Sequence, residues 1–267
     1  MGANWKITLA YDGTDFRGWQ VQPDLPTIQG LLSEAIERIT GESVLPQGSG
    51  RTDAGVHAMA QVASFSLAAP IPPQNLQRAL NRTLPAAIRI LEAETVPPDF
   101  HARHSAKSKW YEYRIYRGEL CPPWTARYVY ALNWQLDLDA LHAAAEVFLG
   151  EHDFTSFAAS DPDAAQREAS DTNGNGTSDD GDNEGREGNI REIYASSWSF
   201  EDALLIYRVH GNGFLHHMVR NLVGTMLDAG RGQICAGDLP GILASRDRSV
   251  AGPTAPARGL FLLRVNY

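Results

Sequence analysis

Cysteine is nearly absent from this chain: Cys121 and Cys235 are its only two, far apart and without metal-ligand spacing. That excludes a disulfide-stapled or zinc-built fold and implies a reduced compartment. No apolar run reaches the length of about 18 residues that a membrane-spanning helix needs. The first residues, Met1 to Lys6, lack the apolar core of a signal peptide, and Lys6 stands where a myristoylation motif wants Ser or Thr. A cytoplasmic protein is therefore expected. No Gly-Lys-Ser/Thr phosphate loop and no His-Glu-x-x-His pair occurs, so the chain is expected to use no cofactor and no metal. No short internal period is present, which argues against a repeat fold.

What is present is globular in composition, with 267 residues, 43% apolar and 21% charged, enough for one large domain or two smaller ones. The formal charge of −9 argues at first against a nucleic-acid partner. Its distribution points the other way. Residues 161–187 hold nine acids against two bases, a local −7 that leaves only −2 for the rest of the chain. This stretch of Asp, Gly, Asn, Ser and Thr has too little apolar surface to offset its ordering entropy. A disordered acidic insertion is expected at about 160–188, either a solvated loop or an electrostatic gate that imitates a phosphate backbone. At the other pole, Arg103, Lys107, Lys109, Arg114 and Arg117 interleave with Trp110, Tyr111, Tyr113 and Tyr116. Cations for phosphates and flat rings for bases suit an RNA-facing strand, as they also suit a solvated edge strand.

Periodicity predicts strands over Trp5–Tyr11, Ala60–Leu67, Ile88–Val96, Lys109–Tyr116, Arg127–Trp134 and Leu260–Tyr267, and a hairpin of Ile190–Phe200 with Leu204–His210. Helices are predicted over Thr27–Thr40, Pro73–Leu84, Leu138–Leu149, Phe214–Ala229 and Leu239–Ala244. Strands and helices mix without a strict βαβ rhythm, so the expected class is α+β with mainly antiparallel sheets. The Pro97-Pro98 punctuation suggests two domains, 1–104 and 105–267.

Two stretches carry chemistry. Gly48 to Ala58 surrounds Arg51 and Asp53 with small residues that let a backbone turn tightly and a ligand approach. It reads either as a long turn or as a site in which Arg51 keeps the Asp53 carboxylate ionised, suiting a nucleophile. The helix from Phe214 shows an apolar face of Leu215, Met218, Val219, Leu222 and Met226, and a second face of His217, Arg220, Asn221 and Gly224. Arg220 is either a surface ion-pair partner or a guanidinium aimed into a cleft. A non-catalytic RNA-binding protein and a glycosidase using Asp12, Asp15 or Asp53 stay open on these residues alone.

Taken in order, seven pieces of the sequence resemble the tRNA pseudouridine synthase A family. They are Tyr11-Asp12-Gly13 through Gln20, Gly50 through His57, Phe100-His101-Ala102-Arg103, Tyr111-x-Tyr113, Asp153 through Phe157, Phe214 through Asn221, and Thr254 through Leu260. The acidic stretch is longer and more acidic than that resemblance leads one to expect. The resemblance implies two ferredoxin-like halves with adjoining sheets, an interdomain cleft, and a homodimer that holds tRNA. It implies isomerisation of uridines at positions 38, 39 and 40 of the anticodon stem-loop to pseudouridine. Residue by residue, it places Asp53 at the catalytic aspartate, Arg51 and Arg220 at arginines near it, and Tyr111 at the substrate-binding tyrosine. Leu260 and Leu262 are expected as apolar walls for the base. The reaction breaks the N1–C1′ bond and joins C5 to C1′ without redox change, which agrees with the missing cofactor motifs.

Overall fold

The computed structural model describes residues 2–159 and 188–267. The expected acidic insertion lies, except for Gly188, outside the described residues. The mixture of helices with mostly antiparallel strand pairs makes this an α+β protein. Chain contacts define two compact units. The first comprises Met1–Asn133, Phe200–Ile206 and Pro256–Tyr267, and the second Trp134–Ser199 and Tyr207–Ala255.

The first unit opens with β1 (Ala3–Tyr11), α1 (Ile28–Thr40), β2 (Gln47–Gly48), β3 (His57–Leu67), α2 (Pro73–Thr83) and β4 (Ile88–Val96). The strand order is β4-β1-β3, with β2 pairing the far end of β3, and all these pairs are antiparallel. Alternation explains β1: Trp5, Ile7 and Leu9 are buried on one face, each contributing about 1.5–3 kcal/mol of burial. Local chemistry sets the ends of α1. Thr27 accepts a hydrogen bond from the Gly30 N–H at 3.3 Å, and Gly41 closes the helix in the left-handed region at φ 75°, where a side chain would be strained. Ile28, Leu32, Ala35 and Ile36 form its buried stripe.

The same unit contains β5 (Ser108–Tyr116), the single turn α3 (Pro123–Ala126), β6 (Tyr130–Ala131) and the final strand β10 (Leu260–Asn266). β10 runs parallel to β3 at Phe261–His57 and Leu262–Ala58, and antiparallel to β5. β6 pairs with β5 in parallel. The strand predicted over Arg127–Trp134 shrinks to these two residues because Arg127 and Tyr128 turn to meet Asp12 instead of extending the ladder.

The second unit contains α4 (Leu138–Glu146), β7 (Gly150–Asp153), most of β8 (Ile190–Glu201) and β9 (Leu204–Gly211), α5 (Met218–Gly230) and α6 (Leu239–Ser245). β8 and β9 form the predicted hairpin, which turns at Asp202 with φ 53°. Its tip groups with the first unit, where the Arg117 N–H donates to the Ala203 carbonyl at 2.8 Å. The core gathers Phe148, Phe154 and Phe157 against α4 and α5, with the Phe148 and Phe157 rings edge-on at 5.1 Å. The helix predicted from Phe214 begins only at Met218, because His217 adopts φ 59°.

Candidate active site

The loop joining β2 to β3 carries Arg51, Thr52 and Asp53, and it is strapped down along its length. At its start, the Ser49 N–H donates to the Val62 carbonyl at 2.8 Å, and Gln61 Nε2 donates to the Gly50 carbonyl at 2.9 Å. At its middle, buried Thr52 shares a hydrogen bond with the Tyr11 hydroxyl at 2.8 Å and accepts from the Trp19 N–H at 3.0 Å. At its end, Phe16 accepts from the Gly55 N–H at 3.3 Å, and the Val56 N–H donates to the Asp53 carbonyl at 3.1 Å. Burial pushes the Tyr11 phenol up to about 12, against smaller opposing effects of hydrogen bonds to Thr52 and Gln61, so it stays neutral.

Two glycines of the segment before α1 make this strapping possible. A Cβ at Gly13 would lie 1.9 Å from the Val56 carbonyl oxygen, and one at Gly18 (φ 89°) would lie 2.6 Å from the Thr52 carbonyl oxygen. Backbone therefore packs directly on backbone, which only glycine permits. Arg51 and Asp53 are half-buried on the loop so held. Lys109 lies over it as well: a Cβ at Gly50 would stand 2.9 Å from Lys109 Nζ. The basic strand is evident in the sequence, but the cation that meets this loop is decided by the register of β5, which no local pattern reports.

Register also brings three other expected residues together. Tyr111 lies opposite Leu262, and Tyr113 opposite Leu260. Directly opposed residues share a face, so these four line one side of the β5–β10 pair. All four are buried. Leu262 is in turn paired with Ala58, five residues past Asp53 on the strand that the loop feeds.

Arg220 belongs to the second unit, on α5. Its Nε donates to the Ala255 carbonyl at 2.7 Å, while the Ala255 N–H donates to the Arg220 carbonyl at 3.1 Å. Next to it, fully buried Asn221 donates to the Phe157 carbonyl at 2.7 Å and accepts from Thr254 Oγ1 at 2.6 Å and an Arg248 guanidinium nitrogen at 3.1 Å. A Cβ at Gly224 would meet the Pro253 carbonyl oxygen at 1.6 Å. The second face of the helix is thus covered by residues 248–255, and Asn221 and Gly224 are buried while Arg220 is only partly so.

Sequence reasoning missed a polar cluster in the first unit. The Arg127 guanidinium lies 3.1 Å from Asp12 and 2.7 Å from Asp15, and the Tyr128 hydroxyl donates to Asp12 at 3.0 Å. Burial raises the pKa of Asp12, but hydrogen bonds from Thr14 and Tyr128 and the nearby His57 outweigh it, and the net shift is downward. Asp12 is thereby held as an anion beside the Arg127 guanidinium. Conventional signals for this cluster are absent, because Asp12 and Tyr128 are 116 residues apart in the chain.

A family model described as tRNA pseudouridine synthase matches residues 7–105 and 144–267. The chain is 50% identical over 262 residues to the tRNA pseudouridine synthase A of Solibacter usitatus, covering 98% of each chain. It is 45% identical over 264 residues to that of Moorella thermoacetica, again covering 98% of each, and 41% identical to that of Caldicellulosiruptor bescii over 99% of each. Among the described residues, no helix is long and apolar enough to cross a membrane.

Proposed function

The chain belongs to the tRNA pseudouridine synthase family, and from that premise we propose that it isomerises uridines 38, 39 and 40 of the tRNA anticodon stem-loop, with Asp53 as nucleophile. The observation that carries this reading is the strapped loop. A carboxylate on backbone held at both ends is aimed before substrate arrives, as nucleophilic catalysis requires. We read residues 1–104 and 105–267 as two ferredoxin-like halves, a reading supported in the first by its β4-β1-β3-β2 order.

In this mechanism the target uridine is extruded from the RNA. Asp53 attacks either C1′ of the ribose or C6 of the uracil, and the N1–C1′ bond breaks. The freed base turns without leaving, C5 bonds to C1′, the bond to Asp53 breaks and returns the carboxylate, the C5 proton departs, and N1 takes up a proton. Arg51 is the charge partner proposed for the carboxylate, and Arg220 is carried over from the family motif as a second guanidinium. Tyr111 stacks on the uracil, its hydroxyl helping to take the C5 proton, while Leu260 and Leu262 wall the base. The protein acts as a homodimer on tRNA, without cofactor or metal, in the cytoplasm.

Mapping pseudouridine in unmodified tRNA after treatment with the purified protein tests the assignment. Product confined to positions 38, 39 and 40 is expected. Product elsewhere, with none there, overturns the positional reading.

A further inference from the structure

His57 stands four residues past Asp53, at the first position of β3, with only 1% of its surface exposed. Both ring nitrogens are engaged. Nδ1 lies 3.0 Å from the Gly13 backbone nitrogen, whose N–H can only donate, so Nδ1 carries no proton in that arrangement. Nε2 lies 3.1 Å from the Arg127 carbonyl oxygen, which can only accept, so Nε2 carries the hydrogen. The ring is stacked on Phe261 at 4.6 Å and tilted against Tyr128 at 5.3 Å. Packing and two hydrogen bonds thus define one neutral tautomer in one orientation.

Gly13 is the piece that this ring holds. Its backbone packs on the Val56 carbonyl, and its own carbonyl accepts from the Phe16 N–H at 3.0 Å. Phe16 in turn accepts from the Gly55 N–H at 3.3 Å. A continuous path therefore runs from the imidazole through residues 13–16 to the end of the Asp53 loop. A second acceptor waits on the same side: Asp12 Oδ1 is 3.3 Å from Nδ1. A proton on Nδ1 would set two donors face to face at Gly13 and offer an ion pair with Asp12 instead.

We propose that His57 is a positioning residue for Asp53, its neutral ring fastening Gly13 to β3, and that protonation of the ring exchanges this bond for Asp12 and loosens the loop. The inference rests on Asp53 being the nucleophile. The charged groups around the ring are Asp12 and, bound to it, Arg127; the Tyr128 phenol; and Arg114, whose guanidinium lies 4.0 Å from the Phe261 ring centre. Burial holds the imidazole below its ordinary value, partly countered by Asp12 and by the Arg127 and Arg258 carbonyls and reinforced by Arg114. Because the folded value lies below the unfolded one, the unfolded chain takes up the proton first. The fastening is complete above the ordinary imidazole value of about 6.5 and is lost as pH falls through the lowered folded value.

The test compares wild type, His57→Asn and His57→Phe in C5-tritium release from uridine-labelled tRNA between about pH 5 and 8, alongside thermal melting. The Asn carbonyl oxygen occupies the place of Nδ1 and does not titrate. His57→Asn is expected to hold kcat within about fivefold at pH 8 and to lose the acid limb that wild type shows below about 6.5. His57→Phe keeps the stack on Phe261 but no acceptor, and kcat at pH 8 is expected to fall roughly tenfold to a hundredfold without a further acid limb, with KM for tRNA within about twofold. An undiminished acid limb in His57→Asn, or a wild-type kcat in His57→Phe, overturns the proposal. Should His57→Phe not fold, the acid limb of His57→Asn decides alone. Those failures leave Asp53 untouched, whereas turnover by Asp53→Asn sinks the nucleophile reading whatever the His57 variants do.

Discussion

Replacing Gly13 with alanine probes the mechanical support of Asp53 directly. The new Cβ would stand 1.9 Å from the Val56 carbonyl oxygen and 2.6 Å from its carbon, where ordinary contact begins at 3.4 Å. The two backbones must part by about 1.5 Å, and the Val56 N–H is itself bonded to the Asp53 carbonyl. Displacing a reacting group by about 1 Å costs on the order of a hundredfold in rate, equivalent to about 2.7 kcal/mol of barrier. Stability falls too. Forcing atoms into a filled space costs about 1–3 kcal/mol, and at about 2–4 °C for each kcal/mol in a chain of this size Tm drops by roughly 2–12 °C. Tritium release measures the first effect and calorimetry the second. Gly241→Ala is the control, since a Cβ there meets nothing within 4 Å and needs no positive φ. If Gly13→Ala turned over and melted like wild type, the claim that backbone packing at Val56 aims the Asp53 loop would be refuted.

Tyr111→Phe keeps a buried ring opposite Leu262 and removes only the hydroxyl. Its kcat should fall by about a hundredfold or more if the hydroxyl assists C5 deprotonation, and a near-normal rate in single-turnover assays would restrict Tyr111 to stacking. In the second unit, Gly224→Ala drives a Cβ to 1.6 Å from the Pro253 carbonyl oxygen and should lower Tm by several degrees, as overpacking of about 1–3 kcal/mol implies. Gly241→Ala, in α6, should instead raise stability by up to about 1 kcal/mol through helix propensity. Equal melting temperatures for those two variants would contradict the packing described for residues 248–255.

Elements whose ends rest on local chemistry were legible in the sequence. Thr27 and Gly41 bracket α1 as expected, and β4 spans Ile88–Val96 as its alternation suggests. Elements shaped by distant partners were not. β2 is only Gln47–Gly48, too short for any period to show, and Arg127 and Tyr128 abandon an extended run to meet Asp12. The cover over the second face of α5 was not legible either, because nothing near Arg220 in sequence announces the strap of Pro253–Ala255. The same division holds at the site. Arg51 and Asp53 stand out because they lie in one contiguous motif. His57 reads as part of that motif without a role of its own, since its partners Gly13 and Arg127 lie 44 and 70 residues away.

The central claim is that the carboxylate of Asp53 performs the first covalent step. Asp53→Asn keeps the side-chain shape and removes the charge, so tritium release from C5-labelled tRNA and tRNA affinity should separate cleanly when measured on one preparation. Release falling to background with Kd within about threefold of wild type is the predicted result, because phosphate contacts dominate binding. Sustained release by Asp53→Asn at a rate near that of wild type would contradict it.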